Sequence, residues 1–226
     1  RVFWEAGIDV DFVSMEDDLK NYRLVVAPLN YLYSDGYAQR VREFVRRGGT
    51  YVTTAFSGIV DDTDLCYIGS QPLKDVLGIE QMEIDAPTEE FTNSVLYHGN
   101  EYPLGRIREL IEPSDAKTEV LGVYEQDYVK GTPVITRHAF GEGCSYYLAA
   151  EMTPELLKTL YTEVFDQLGL ANPLGVTLPY GVTSSLRETE DSTRKLIFVL
   201  NFRHEPVTVS GIGRSDLVDA ETGESV

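Results

Sequence analysis

Two runs near the start of the chain, Leu24-Val25-Val26-Ala27-Pro28 and Phe44-Val45-Arg46-Arg47-Gly48-Gly49-Thr50-Tyr51-Val52-Thr53-Thr54-Ala55-Phe56, carry the strongest structural pattern in it. The first is a short, continuous apolar run rich in β-branched residues, the composition of a parallel strand covered on both faces by helices. In the second run Gly48-Gly49 separates two periodicities. Before it, Ala38, Val41, Phe44 and Val45 recur at helical spacing behind Ser34, a residue suited to cap a helix. After it, residues 51–56 form an apolar strand. Glycine supplies the left-handed stop between them. Strand, helix and strand joined by tight glycine turns predict an open, mostly parallel α/β sheet flanked by helices, with right-handed crossovers.

Upstream, Ile8-Asp9-Val10-Asp11-Phe12-Val13 alternates apolar and acidic residues and predicts an edge strand. Downstream, residues 72–77 read as a short helix capped by Ser70 and ended by Gly78, and residues 80–117 show no clear period. Residues 119–124, 133–139 and 144–150 read as strands of an antiparallel meander, turned at Lys130-Gly131 and Gly141-Glu142-Gly143. Thr153-Pro154 opens a helix with the apolar stripe Leu157, Leu160, Tyr161, Val164, Phe165 and Leu168, stopped by Gly169. Residues 171–178, with Pro173 and Gly175 and with Pro179 just beyond, read as a linker. Beyond it, residues 182–187, 195–202, 206–209 and 216–220 predict short antiparallel strands. The organisation expected is an α/β domain over residues 1–172 and a small antiparallel β domain over residues 173–226. The opening Arg1-Val2-Phe3-Trp4 reads as a helix entered partway, so truncation at the N-terminus of a longer chain is expected.

The 226 residues carry 37 Asp and Glu against 19 Lys and Arg, a formal charge of −18. A field of that sign repels phosphate and disfavours nucleic acid or anionic membrane as partners. No apolar stretch approaches the roughly 18 residues of a membrane helix. Two cysteines, Cys66 and Cys144, are too few for a disulfide framework and suit a reducing compartment, so a cytoplasmic location is expected.

Candidate chemistry is sought first in the loop after the second strand, because open α/β sheets bind ligands at the carboxyl ends of their strands. That loop reads Ser57-Gly58-Ile59-Val60-Asp61-Asp62-Thr63-Asp64. A nucleophile elbow needs glycine two residues before the serine, where Ala55 stands. Asp61, Asp62 and Asp64 match no calcium-loop spacing, and turn and cap roles suit them better. There is neither a dinucleotide fingerprint nor a P-loop. No cofactor and no metal are expected. Both cysteines read as small buried hydrophobes rather than as partners for His98, His138 or His204. Carboxylate pairs such as Glu89-Glu90 and Glu125/Asp127 carry no facing geometry in sequence. Fourteen tyrosines, clustered at Tyr31/Tyr33 and Tyr146-Tyr147, suit either a subunit interface or a sugar-stacking face, with core packing as the plainer role.

Seven segments occur together in one order. They are residues 24–28, 44–54 and 56–61, then Asp64-Leu65-Cys66, residues 119–124 and 131–136, and Gly141-Glu142-Gly143 with Tyr146-Tyr147. In this they resemble the non-catalytic part of the glycoside hydrolase family 42 β-galactosidases, closely to about residue 170 and more loosely beyond. The resemblance implies a three-domain parent. A (β/α)₈ barrel would carry both catalytic glutamates upstream of Arg1, followed by an amidotransferase-like trimerisation domain and a small β domain. It implies a homotrimer that hydrolyses terminal β-D-galactosides by double displacement, with no catalytic residue in these 226. The amidotransferase-like fold would place a nucleophilic cysteine after the strand ending at Phe56, but Ser57 stands there with no histidine near in sequence. That leaves the loop Phe56, Ser57, Gly58, Ile59, Val60 and Asp61 free to pack between subunits. Two other readings compete: a self-contained amidotransferase-like hydrolase using Ser57 or Cys66, and a carbohydrate-binding module.

Overall fold

Parallel pairing in this protein begins where the sequence places it. In the computed structural model, which describes residues 1–86, 88, 92–212 and 216–224, strand β1 (Leu24–Ala27) pairs in parallel with β2 (Thr50–Thr54). Helix α2 (Tyr37–Arg46) connects them and buries Tyr37, Val41, Phe44 and Val45, the face that helical spacing marks out. Its N-cap is Gly36 in a left-handed conformation rather than Ser34. The Ser34 carbonyl, not its hydroxyl, accepts the amide of Tyr37.

Strand β2 pairs in parallel with β8 (Gly143–Leu148), and α2 returns to the sheet through close backbone packing. A Cβ at Gly143 would meet the carbonyl oxygens of Gly49 and Val45, so only glycine fits this approach. The rest of the nine-stranded sheet is antiparallel. Strands β7 (Pro133–Phe140) and β6 (Thr118–Tyr124) complete the expected meander, followed in space by β4 (Ser94–Tyr97), β5 (Asn100–Pro113) and β3 (Ile79–Asp85). The chain thus builds an open α/β sheet and, later in sequence, a smaller antiparallel one, with parallel pairing confined to β1, β2 and β8. The expected strand 144–150 divides at Ala149, after which β9 (Ala150–Met152) switches partner to β5.

Several local expectations change. Residues 8–13 form no strand: their alternation finds no pairing partner, and the Asp9 carboxylate instead accepts the Leu186 amide. The short helix α3 is Lys74–Leu77, with Leu73 at its N-cap. Ser70 is committed elsewhere, to Glu80 and Lys74, while Gly78 ends the helix as expected. In α4 (Pro154–Leu168) it is Leu156 rather than Leu157 that is buried with Leu160, Tyr161, Val164 and Phe165.

The chain divides into two compact units, residues 13–156 and residues 1–12 with 157–226. The core of the first is a cluster around Tyr33, Tyr37, Tyr51 and Tyr147 with Val41, Leu73, Leu77 and Ile79. In the second, α1 (Val2–Ala6) sets Phe3 against Tyr161 and Phe165, with ring centroids 5.1 and 4.9 Å apart. Strands β10 (Val182–Glu188) and β11 (Lys195–Asn201) form a two-stranded antiparallel sheet. Residues 206–209 and 216–220, expected as strands, form no strand among the described residues, only a single bridge position at Val218. Val207, Val209 and Leu217 pack individually on Leu174, Leu178 and Val182, and Asp219 closes a turn by accepting the amides of Glu221 and Thr222.

Candidate functional site

Both parallel strands β1 and β2 leave the sheet through a non-glycine residue in the left-handed region, Leu29 (φ 49) and Phe56 (φ 63). Such a conformation costs roughly 1–2 kcal/mol per residue, so neighbours must hold it. Leu29 donates its amide to Thr54 Oγ1 at 2.8 Å, and Phe56 donates its amide to Glu109 Oε1 at 2.8 Å. The two loops then lace together. Gly58 and Ile59 donate to the carbonyls of Asn30 and Tyr31, both at 2.9 Å, and Tyr33 donates to Val60 at 3.0 Å.

Glu109, on β5, is the chemical centre of this edge and is almost wholly buried. Its carboxylate also takes hydrogen bonds from the Tyr147 hydroxyl and, at 3.4 Å, from Gln81 Nε2. Burial raises the Glu109 carboxyl above the usual carboxylate range, although these donors favour the charged form. Burial, followed by the charge of Glu109, pushes the Tyr147 phenol well up. Gln81 reaches the Tyr147 hydroxyl at 2.6 Å and the Ser57 carbonyl at 3.2 Å, closing the network. A cavity of about 280 Å³ lies beside it, with Ile59, Tyr67, Gln81, Met82, Ile84 and Glu109 among its walls.

Ser57 is buried. Its hydroxyl accepts the amide of Asn30 at 3.0 Å and shares a 2.8 Å hydrogen bond with Thr53 Oγ1. No imidazole is hydrogen-bonded to it among the described residues, and the arrangement supplies no base. The left-handed residue after β2 is Phe56 rather than Ser57, and no helix follows before Lys74, so the strand-to-helix turn of a nucleophile elbow is not formed here. Gly58 and Val60 are buried, Phe56, Ile59 and Asp61 half-buried. Asp61 Oδ1 accepts the Thr63 hydroxyl and amide and the Leu65 amide, and the Thr63 hydroxyl leads these in holding the carboxyl below its usual range. It is a turn residue, as its spacing suggests.

Cys144 is buried, but Cys66 is exposed, contrary to its reading as a buried hydrophobe, because the loop that carries it runs over the surface. His98 lies on the surface in the β4–β5 turn, His138 bonds Thr118 Oγ1 at 3.0 Å, and His204 is exposed. Glu125 pairs with Lys130 at 3.5 Å and Asp127 with Arg108 at 2.9 Å, so they do not form an acid pair. Glu89-Glu90 lies outside the described residues. Tyr33, Tyr146 and Tyr147 belong to the core, and Tyr31 is exposed. Around the laced loops Leu29, Tyr31, Leu65, Ile68, Met82 and Ile84 are all exposed, Leu65 at 65% and Ile68 fully. Such a gathering of exposed apolar side chains is the kind of surface that meets another molecule, protein or ligand.

Sequence reading missed Glu109 and its neighbour Arg108, which is buried against Asp85 and Asp127 with its guanidinium 5.4 Å from the Tyr128 ring centre. The signal available was two charges set between Ile107 and Leu110-Ile111.

The family model described as the β-galactosidase trimerisation domain matches residues 1–171. β-Galactosidase Pbg of Clostridium perfringens is 38% identical over 235 residues, covering all of this chain and 33% of that protein. β-Galactosidase GanA of Bacillus subtilis is 31% identical over 212 residues, covering 93% of this chain and 31% of that protein. The crystal structure of the β-galactosidase from Bacillus circulans sp. alkalophilus superposes with a TM-score of 0.90 at 35% identity, over the whole of this chain and 34% of that one. A catalytic mutant of Gan42B, a glycoside hydrolase family 42 β-galactosidase from G. stearothermophilus, gives 0.89 at 33% identity, over the whole of this chain and 32% of that one. The chain thus spans about a third of the length of the relatives it matches. It belongs to the β-galactosidase trimerisation-domain family of glycoside hydrolase family 42.

Proposed function

We propose that these residues are the assembly region of a β-galactosidase that acts as a homotrimer on terminal β-D-galactosides. The chemistry would be done by a barrel domain outside them. The single observation that carries this is the match of the trimerisation-domain family over residues 1–171. The site supports it from the other side: at the carboxyl edge, where a ligand would be sought, the hydroxyl of Ser57 is sequestered and the exposed surface is apolar. The family match ends one residue short of 172, which supports a division into an assembly domain of residues 1–172 and a β domain of residues 173–226. The reading includes a cytoplasmic location and no part for nucleic acid, membrane, metal or cofactor.

The loop from Phe56 to Asp61 would serve the subunit contact through its half-buried members, Phe56 and Ile59, with Ser57, Gly58 and Val60 as their internal support. Light scattering of the purified chain across concentrations tests the proposal. A mass three times that of the chain, together with no hydrolysis of a chromogenic β-galactoside, is the expected result. A chain that stays monomeric at every concentration, or one that cleaves the galactoside, sinks it. Alanine at Phe56 and Ile59 should weaken the trimer while leaving the circular dichroism unchanged.

A further inference from the structure

We propose that the carboxyl-edge loops of one copy dock head-to-tail into a groove beside α2 of the next copy. This inference rests on the assembly reading above and names its two surfaces. Residues 28–35 and 55–70 contain Asp35, Asp61, Asp62 and Asp64 and not one Lys or Arg, and exposed Glu83 stands on the neighbouring strand β3. Within that acidic rim project Leu65 and Ile68, the two most exposed apolar side chains of residues 13–156 apart from Tyr128. An isologous contact would set this patch against itself, aspartate facing aspartate. Like-charge juxtaposition of that kind costs several kcal/mol.

The complementary surface lies in the same unit, between residues 16–23 and α2. There a groove of about 710 Å³ is lined by the apolar Leu19, Tyr22 and Phe44 and by Lys20, Arg23, Arg40 and Arg47. Its four cations outnumber its three carboxylates, Glu16, Asp18 and Glu43, in a chain whose total charge is −18. Asp18 pairs with Lys20 at 2.9 Å and Glu43 with Arg46 and Arg47, so these pairs hold two of the four cations as well as two of the carboxylates, and the balance of the groove stays positive by one. An acidic rim with an apolar centre meets a cationic rim with an apolar floor. Because the two surfaces differ, the contact is heterologous, the kind that closes a ring when the rotation between copies permits. Burial of Leu65 and Ile68 supplies affinity, and the charges supply register and partner choice.

The test uses the full 226-residue chain and follows its mass by light scattering, with circular dichroism to verify the fold. Reversing one face, Asp62→Lys with Asp64→Lys, should raise the dissociation constant of the trimer about tenfold or more. Reversing the other, Lys20→Glu with Arg23→Glu, should do the same. All four substitutions in one chain should restore assembly, and Leu65→Ser with Ile68→Ser should weaken it with little dependence on salt. A wild-type trimer indifferent to both reversals overturns this inference and leaves the assembly reading standing. A trimer lost on either reversal but not regained in the fourfold variant also overturns it. A mass that grows without a plateau at three overturns ring closure through this contact. A wild-type chain that is monomeric throughout overturns both.

Discussion

Strands β8 and β11 make an instructive pair. By composition β11, Lys195-Leu196-Ile197-Phe198-Val199-Leu200-Asn201, is more hydrophobic than β8, Gly143-Cys144-Ser145-Tyr146-Tyr147-Leu148. Yet β8 is buried at five of its six positions, whereas β11 is exposed at every position except the half-buried Ile197. The difference is one of neighbours. β8 sits between β2 and β7, while β11 pairs with β10 alone. Burial follows from how many faces and edges are covered, and a two-stranded ribbon covers few. Apolar content by itself reports neither.

This contrast can be broken or sharpened by substitution. The largest effect is expected in β8, where Leu148→Ala should cost about 3 kcal/mol of unfolding free energy in urea, the usual range for an aliphatic side chain in a closed core being about 2–5. Next comes the network that ties β8 to the loop edge. Glu109→Ala should cost about 2 kcal/mol, because the Phe56 amide and the Tyr147 hydroxyl lose their acceptor in a buried setting.

The same residue gives a pH signature. Its folded pKa is raised, so the stability it contributes is fully present below the unfolded carboxyl value and is lost as pH rises through the folded value. Asp127 and Asp75 carry the opposite sign: Arg108 and Arg42, respectively, lower their carboxyls, and the stability they contribute is lost as pH falls. The difference between the wild type and Glu109→Gln therefore isolates the first effect. The wild type should lose stability relative to the glutamine variant as pH rises through the folded Glu109 value, and a difference that is flat with pH would remove the buried charge from the account.

For Phe56→Gly the relief of about 1 kcal/mol of left-handed strain is matched by the lost ring contacts and the greater freedom of the unfolded chain, so the net change should stay within about 1 kcal/mol. Smallest of all, Leu200→Ser on the exposed face of β11 should stay within about 0.5 kcal/mol. A cost comparable to that at Leu148 would mean that the comparison drawn from β8 and β11 is wrong.

The same physics explains which parts were legible. β1, α2 and β2 could be read because local periodicity, Gly48-Gly49 and the covered faces all agree. The meander was legible from its glycine turns. Strands β3 and β5 were not, because register shifts between Gln81 and Glu83 and between Leu104 and Arg108 break the period of two that a reader counts. Residues 8–13 misled for the opposite reason, a clean alternation with no strand to pair with. The left-handed turn at Phe56 has no glycine to announce it, and the donors that hold Glu109 come from positions 28, 38 and 53 residues away in sequence. Such a constellation exists only after folding.

Trp4, on α1, packs edge-on against Phe202 with ring centres 5.4 Å apart, and it is the sole tryptophan in the chain. Both rings belong to the unit formed by residues 1–12 and 157–226. Indole emission is therefore a private reporter of that unit, whereas far-ultraviolet dichroism sums helices of both units, α2 in one and most of α4 in the other. A single denaturation experiment read by both signals shows whether the tryptophan's unit opens together with the rest, without any label. Coincident midpoints mean that they melt as one cooperative body, and an earlier emission midpoint means that the ribbon-bearing unit opens first.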